Sequence, residues 1–213
     1  VKMVLEGDRA EGTTVSVVPY SGQVNPGPLL FDAIGGVREH DNSSCVYLER
    51  SDFDHTGMPS ASTLQVPHFH KWNVDWEYMD WGWCPSNFMR IRPMQNDPVA
   101  LESFLRSMRL HDGTGTHNGM KWGLALLDPD SEPLLNVLEG TGEMPEMAYD
   151  RPRAWDAPDS IKYIVLMTDG QITDQFIPKH YGFRDIDSDD LDNETGDRDD
   201  IDGIDHEKLN AEV

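Results

Sequence analysis

Basic side chains are scarce in this 213-residue chain, where 17 Lys and Arg stand against 39 Asp and Glu for a formal net charge of −22. A surface this acidic repels phosphate wherever salt does not screen it, which argues against nucleic acid and anionic lipid and favours cations or basic protein surfaces as partners. Long apolar runs are also missing, since none approaches the roughly 18 residues that suggest a membrane helix. The N-terminus lacks the basic, apolar and small-residue succession of a signal peptide, so the chain reads as soluble. It opens on Val1 without Met, the beginning expected of a piece of something longer. No Ser-centred nucleophile elbow, phosphate loop or His-Glu-x-x-His helix occurs, and neither cysteine has the neighbours of a catalytic thiol. With only Cys45 and Cys84 present, the thiols can be bridged or buried and free. Their Pro-, Ser- and Trp-rich setting suits a staple across an irregular loop, and a bridge implies an oxidising compartment such as a periplasm.

What is present can build one principal domain, because 38% of the residues are hydrophobic. Thr13 to Tyr20 is almost wholly β-branched and apolar, the pattern of a buried strand in a parallel sheet, with Ser21-Gly22 punctuating its end. Asp97-Pro98 is a helix start, and Val99, Leu101, Phe104, Leu105 and Met108 carry a helical stripe ending near Arg109. A Gly-rich loop from Leu110 to Gly119 leads to a second predicted helix, Met120 to Leu127. Ile161 to Thr168 is a second predicted buried strand, closed by Asp169-Gly170. Strand, helix, loop, helix, strand is the rhythm of a parallel α/β sheet flanked by helices.

Between these elements the pattern breaks down. Residues 31–95 read as an irregular, aromatic-rich insertion with its own small core, dividing an α/β unit into residues 1–30 and 96–183. Its aromatics Trp72, Trp76, Tyr78, Trp81 and Trp83 are either that core or a partner-binding surface. Residues 184–213 form an acidic tail or loop, with thirteen Asp or Glu and two Lys or Arg from Asp185 onward, too polar to offset its ordering entropy by burial. The run from Asp185 to Asp192 lacks the Gly and terminal Glu of a helix-loop-helix calcium site and reads as solvated.

Chemistry is most concentrated in two loops, Asp112-Gly-Thr114-Gly-Thr116 and Thr168-Asp169-Gly170. In a parallel α/β sheet, loops at the carboxyl ends of strands converge at one edge. There the Thr114 hydroxyl and the Asp169 carboxylate, both hard oxygen donors, suit Mg²⁺ or Ca²⁺ better than zinc. Thr116 reads as a supporting residue whose hydroxyl fixes the loop, and Asp112 as a supporting ligand or simply the end of a turn. His111 and His117 flank the loop as supporting or surface groups.

These two loops resemble the second and third segments of the metal-ion-dependent adhesion site of von Willebrand factor A domains. The wider wording is similar to TadG-type proteins of tight-adherence (Flp) pilus systems. It comprises Val15 to Tyr20, Cys45, Trp83-Cys84-Pro85, the Gly-Thr loop, Trp155, and Lys162 to Gln171. The resemblance covers roughly residues 12 to 175 and implies a Rossmann-like domain with Thr114 and Asp169 as metal ligands. It implies a non-enzymatic pilus-assembly or adhesion module on the periplasmic or cell-surface side of a bacterial inner membrane. Such a module is anchored outside this chain and meets protein partners of the pilus or secretion apparatus through a divalent cation. The family's first metal segment, Asp-x-Ser-x-Ser, is missing from Val1 to Gly12, so an interior fragment that binds metal weakly is the expectation. Two other readings stand beside this one. His68 and His70 alternate on one strand face as zinc ligands of a hydrolase do, or the domain is a metal-free structural scaffold.

Overall fold

The computed structural model describes residue 5 and residues 10–41, 43–59, 65–66, 84–109, 113–168, 172, 175–177 and 207–209. Four short strands occur among them: β1 (Val15–Val17), β2 (Arg92–Gln95), β3 (Gln175–Ile177) and β4 (Glu207–Leu209). They form two separate antiparallel pairs, β1 with β2 and β3 with β4, and no parallel pair occurs among the described residues. Register in the first pair shifts between Val15↔Gln95 and Val17↔Arg92. At the shift the Ser16 hydroxyl accepts the Met94 amide at 3.0 Å, so the donor displaced from the ladder is still satisfied.

Four α-helices are described: α1 (Pro28–Ala33), α2 (Pro98–Ser107), α3 (Thr116–Ala125) and α4 (Glu132–Leu135). α2 starts where its sequence predicts: Asp97 Oδ1 accepts the amides of Val99 and Ala100 at 2.8 and 3.0 Å, and Pro98 occupies the first turn. Leu101 and Phe104 form its buried face. α3 begins a turn earlier than the predicted Met120, inside the Gly-rich loop, with Gly115 at its N-cap and no side-chain cap. Tertiary docking of the loop takes the place of a local start signal.

One apolar core joins these elements. Trp122 of α3 is fully buried among Phe31 and Ile34 from α1 and its C-terminal end, Val46, Ile91 and Leu135. Residues assigned to the insertion, Phe31, Val46 and Met58 among them, thus pack into the same core as α3. Asn25 ties the start of α1 to the disulfide region, with Oδ1 accepting the Gly27 amide at 2.8 Å and Nδ2 donating to Pro85 O at 2.7 Å and Asn87 Oδ1 at 3.1 Å. The aromatic cluster Trp72, Trp76, Tyr78, Trp81 and Trp83 and most of the acidic tail lie outside the described residues.

The predicted buried strands differ from this arrangement. Thr13 to Tyr20 contributes only three residues to a ladder and is largely half-buried. Ile161 to Met167 has no strand partner among the described residues, and most of its side chains are exposed. The physical reason is direct: composition marks a segment able to sit in a sheet interior, but burial requires neighbours on both edges, and none is paired with it here.

Cys45 and Cys84 form a disulfide across 39 residues of sequence, and both are buried. Closing a loop of that length removes denatured-state entropy worth about 4 kcal/mol. The Cys45→Ser, Cys84→Ser double variant should therefore unfold at markedly lower denaturant, read as the shift in urea midpoint against the oxidised protein. An unchanged midpoint would assign the staple no stabilising role.

Candidate functional site

The Gly-rich loop is positioned by backbone packed on backbone. Gly115 N donates to Ser21 O at 2.6 Å, and Asn118 Nδ2, in the first turn of α3, donates to Gly22 O at 2.8 Å. A Cβ on Gly113 would stand 2.6 Å from Gly22 N, and one on Gly115 would stand 2.7 Å from Gly22 O. Gly113 also has φ +93°, so glycine is required there twice over. Gly119 lies flat against the Tyr20 ring.

Tyr20 carries the arrangement onward. Its hydroxyl donates to Met167 O at 3.0 Å, linking the end of the first apolar run to the end of the second. Ile164 approaches α3 at Gly123, with its Cδ1 3.8 Å from where a Cβ would stand. Three separated segments therefore meet: residues 20–22, residues 113–119 and residues 164–167.

Thr114 and Thr116 are both half-buried in this region. Thr116 is the first residue of α3, where helix geometry leaves the leading amides without intrahelical acceptors. These hydroxyls are neutral oxygen donors. The carboxylates that would complete a hard-cation site, Asp112 and Asp169, lie outside the described residues, as do His111, His68 and His70. Among the described residues, no group of three or more His, Cys, Asp or Glu side chains could hold a metal.

His117, on the second residue of α3, packs its ring 5.7 Å from that of Phe53, and its Nδ1 is buried without a hydrogen-bond partner. Burial holds its pKa below the ordinary 6.5. Burial is also the main cause lowering His40, opposed by the backbone bond to Val66.

A second polar cluster was not legible beforehand. Lys121 is buried on the inner face of α3, its ammonium donating to Gly57 O at 2.7 Å and His55 O at 2.8 Å, 3.3 Å from His55 Nδ1. Desolvation lowers its pKa, and the carboxylates of Asp52 and Asp128 oppose the shift. Asp128 is committed to structure, accepting the Asp130 amide at 2.9 Å and the Thr56 hydroxyl. Asp128 and Thr56 also border an open cleft of about 530 Å³ walled by Ile34, Met58 and Leu134. The one sequence signal for Lys121 was its helical phase, three and four residues from Asn118 and Ala125 on the buried face. Tyr20, Ser21 and Gly22 gave only the signal of a turn after an apolar run.

No protein-family model matches the chain, and neither a curated protein nor a solved structure matches it.

Gly113→Ala should cost about 1–3 kcal/mol from the left-handed backbone alone. Gly140 has φ +70° with nothing near its Cβ position, so Gly140→Ala isolates that strain from the clash with Gly22. The expected result is a larger drop in melting temperature for Gly113→Ala; equal drops would mean that the backbone approach is not tight.

The two lowered imidazoles set a pH dependence of stability. Each takes up a proton more readily unfolded than folded, so the unfolded state binds more protons as pH falls below 6.5, and stability is lost in that direction. Thermal melts between pH 7.5 and 5.5 should decline, and His117→Gln should flatten part of the slope relative to the parent.

Proposed function

We propose that this chain is a non-enzymatic partner-binding module of the bacterial cell envelope, of the von Willebrand factor A type found in TadG-like pilus-assembly proteins. In this reading the domain is α/β and Rossmann-like, and a divalent cation, Mg²⁺ or Ca²⁺, helps it engage proteins of a pilus or secretion apparatus. One observation carries the reading: the Gly-Thr loop and the end of the Ile161–Thr168 run are drawn to the same place by Tyr20–Gly22. That is the convergence that a cation site built from Thr114 and Asp169 requires. Thr114 and Thr116 would supply neutral hydroxyl oxygens, and Asp169 with Asp112 the anionic charge that a hard cation needs. Bound there, the cation would supply a positive centre for a partner's carboxylate in an otherwise acidic molecule. The Cys45–Cys84 bridge is consistent with a periplasmic or cell-surface location, because disulfides persist in oxidising compartments. No helix among the described residues is long and apolar enough to cross a membrane. In the proposed arrangement, the anchor lies outside this chain.

The test is a thermal melt with Mg²⁺, with Ca²⁺ and with chelator, beside the Thr114→Ala, Asp169→Ala double variant. Cation at a hundredfold over Kd stabilises by about 2.7 kcal/mol, roughly 5–10 °C for a chain of this size. A rise of that order, lost in the variant, supports cation-dependent binding. The same melting temperature under all conditions would reject the cation site and leave a metal-free scaffold.

A further inference from the structure

The open cleft beside Asp128 has the size and lining of a ligand site. Its volume of about 530 Å³ falls inside the range of roughly 300–1,000 Å³ usual for small-molecule pockets. Ala33, Ile34, Met58, Pro59 and Leu134 give it apolar walls, where the body of an occupant would leave water. Its polar groups come from His55, Thr56, Asp128 and Asp130.

The walls are held in place by the fold itself. Ile34 and Met58 belong to the buried core, and Leu134 packs against it. Lys121 clamps the segment that carries Met58 through the carbonyls of His55 and Gly57. Asp128 fixes the turn into α4, accepting the Asp130 amide at 2.9 Å and the Thr56 hydroxyl. A cleft anchored by core packing and buried polar groups demands little reorganisation from a ligand.

Charge selects the occupant. Among the described residues no Lys or Arg lines the cleft, and its two carboxylates are those of Asp128 and Asp130. Asp128 is already engaged, by its two hydrogen bonds and by Lys121 and Lys162, which lie near enough to feel its field. Neither lysine offers its ammonium to the cleft. Lys121 is spent on the two carbonyls, and Lys162 Nζ donates to Leu127 O at 2.7 Å and to Arg153 O, 4.1 Å from the centroid of the Trp155 ring. Asp130 differs, because its exposed carboxylate makes no hydrogen bond and no ion pair among the described residues. An anionic ligand would be repelled by both acids, whereas a protonated amine gains from Asp130 while its apolar part fills the walls.

We propose that this cleft binds an organic ammonium ion, an apolar body carrying one protonated amine, with the body against Ile34, Met58 and Leu134 and the amine at Asp130. Neither Thr114 nor Thr116 borders the cleft, so the assignment is independent of the cation site and needs no metal.

The probe is hexylammonium, titrated into the full chain at pH 8 with chelator and followed by methyl chemical shifts. Saturable shifts should concentrate on Ala33, Ile34, Met58 and Leu134. Hexan-1-ol should bind about fivefold more weakly, the contribution of a partly exposed ion pair, and hexanoate more weakly still. Asp130→Asn should bring the amine down to the affinity of the alcohol. Glu146→Gln, which removes the same charge from an exposed residue outside the cleft, should change binding by less than about twofold. A Cβ on Gly57 would stand 3.6 Å from His55 Nδ1 and 3.9 Å from Asp128 Oδ2, ordinary contacts, so Gly57→Leu should fill the cleft and abolish binding with little change in melting temperature. Equal affinity for hexan-1-ol, undiminished binding by Asp130→Asn, equal losses in Asp130→Asn and Glu146→Gln, or shifts confined to other segments would overturn the proposal. A short capped peptide with a central Lys carries the same ammonium. Tighter binding of the peptide than of hexylammonium would support the proposal with a protein's lysine side chain as the source, and weaker binding would support it with a free amine.

Discussion

The arrangement depends on a close approach of two stretches of backbone, Ser21-Gly22 and Gly113 to Gly115. No side chain separates them, and the contact is held by one main-chain hydrogen bond and the buried amide of Asn118. Because this approach is tight, it fixes where α3 begins and how it is rotated. The rotation sends Trp122 into the core, brings Lys121 to the carbonyls of His55 and Gly57, and sets Gly119 against the Tyr20 ring. From Tyr20 the constraint passes to Met167 through one hydroxyl.

The buried lysine shows how such a constraint spreads its consequences. A desolvated ammonium is tolerated only with its donors satisfied, and here two carbonyls and an imidazole surround it while Asp52 and Asp128 lie close enough to oppose the desolvation. The segment around residues 55–57 is held to α3 by this polar anchorage, whereas α1 is held to the core by apolar contact. Rigid support on both sides of α3 is what a binding edge at its N-terminus would require, since first-turn groups are only as well placed as the helix that carries them.

Local signals were legible where a short stretch of sequence carries its own physical cause. Asp97-Pro98 announced α2 because a carboxylate and a fixed φ act on the next turn alone. The Gly-Thr loop was legible as a tight turn, but the partner that makes its glycines necessary lies about ninety residues earlier, as the Asn118–Gly22 pairing shows. Burial of Thr13–Tyr20 and Ile161–Thr168 was inferred from composition, and it did not follow. The first run pairs for three residues with β2 in antiparallel sense, and the second stands beside α3 with an open face.

The sequence by itself determined that this is an acidic chain with enough apolar residues for a principal domain, a capped helix after Asp97, and two apolar β-prone runs, because composition and short-range capping depend only on neighbours in the chain. That residues 31–58 share the core of α3 instead of building their own was decided by the tertiary structure. Tertiary structure alone decided that α3 starts at Thr116, that Lys121 is buried, that Cys45 meets Cys84, and that Tyr20 reaches Met167. These are contacts between residues distant in sequence, whose proximity depends on how the whole core packs and which no local pattern encodes.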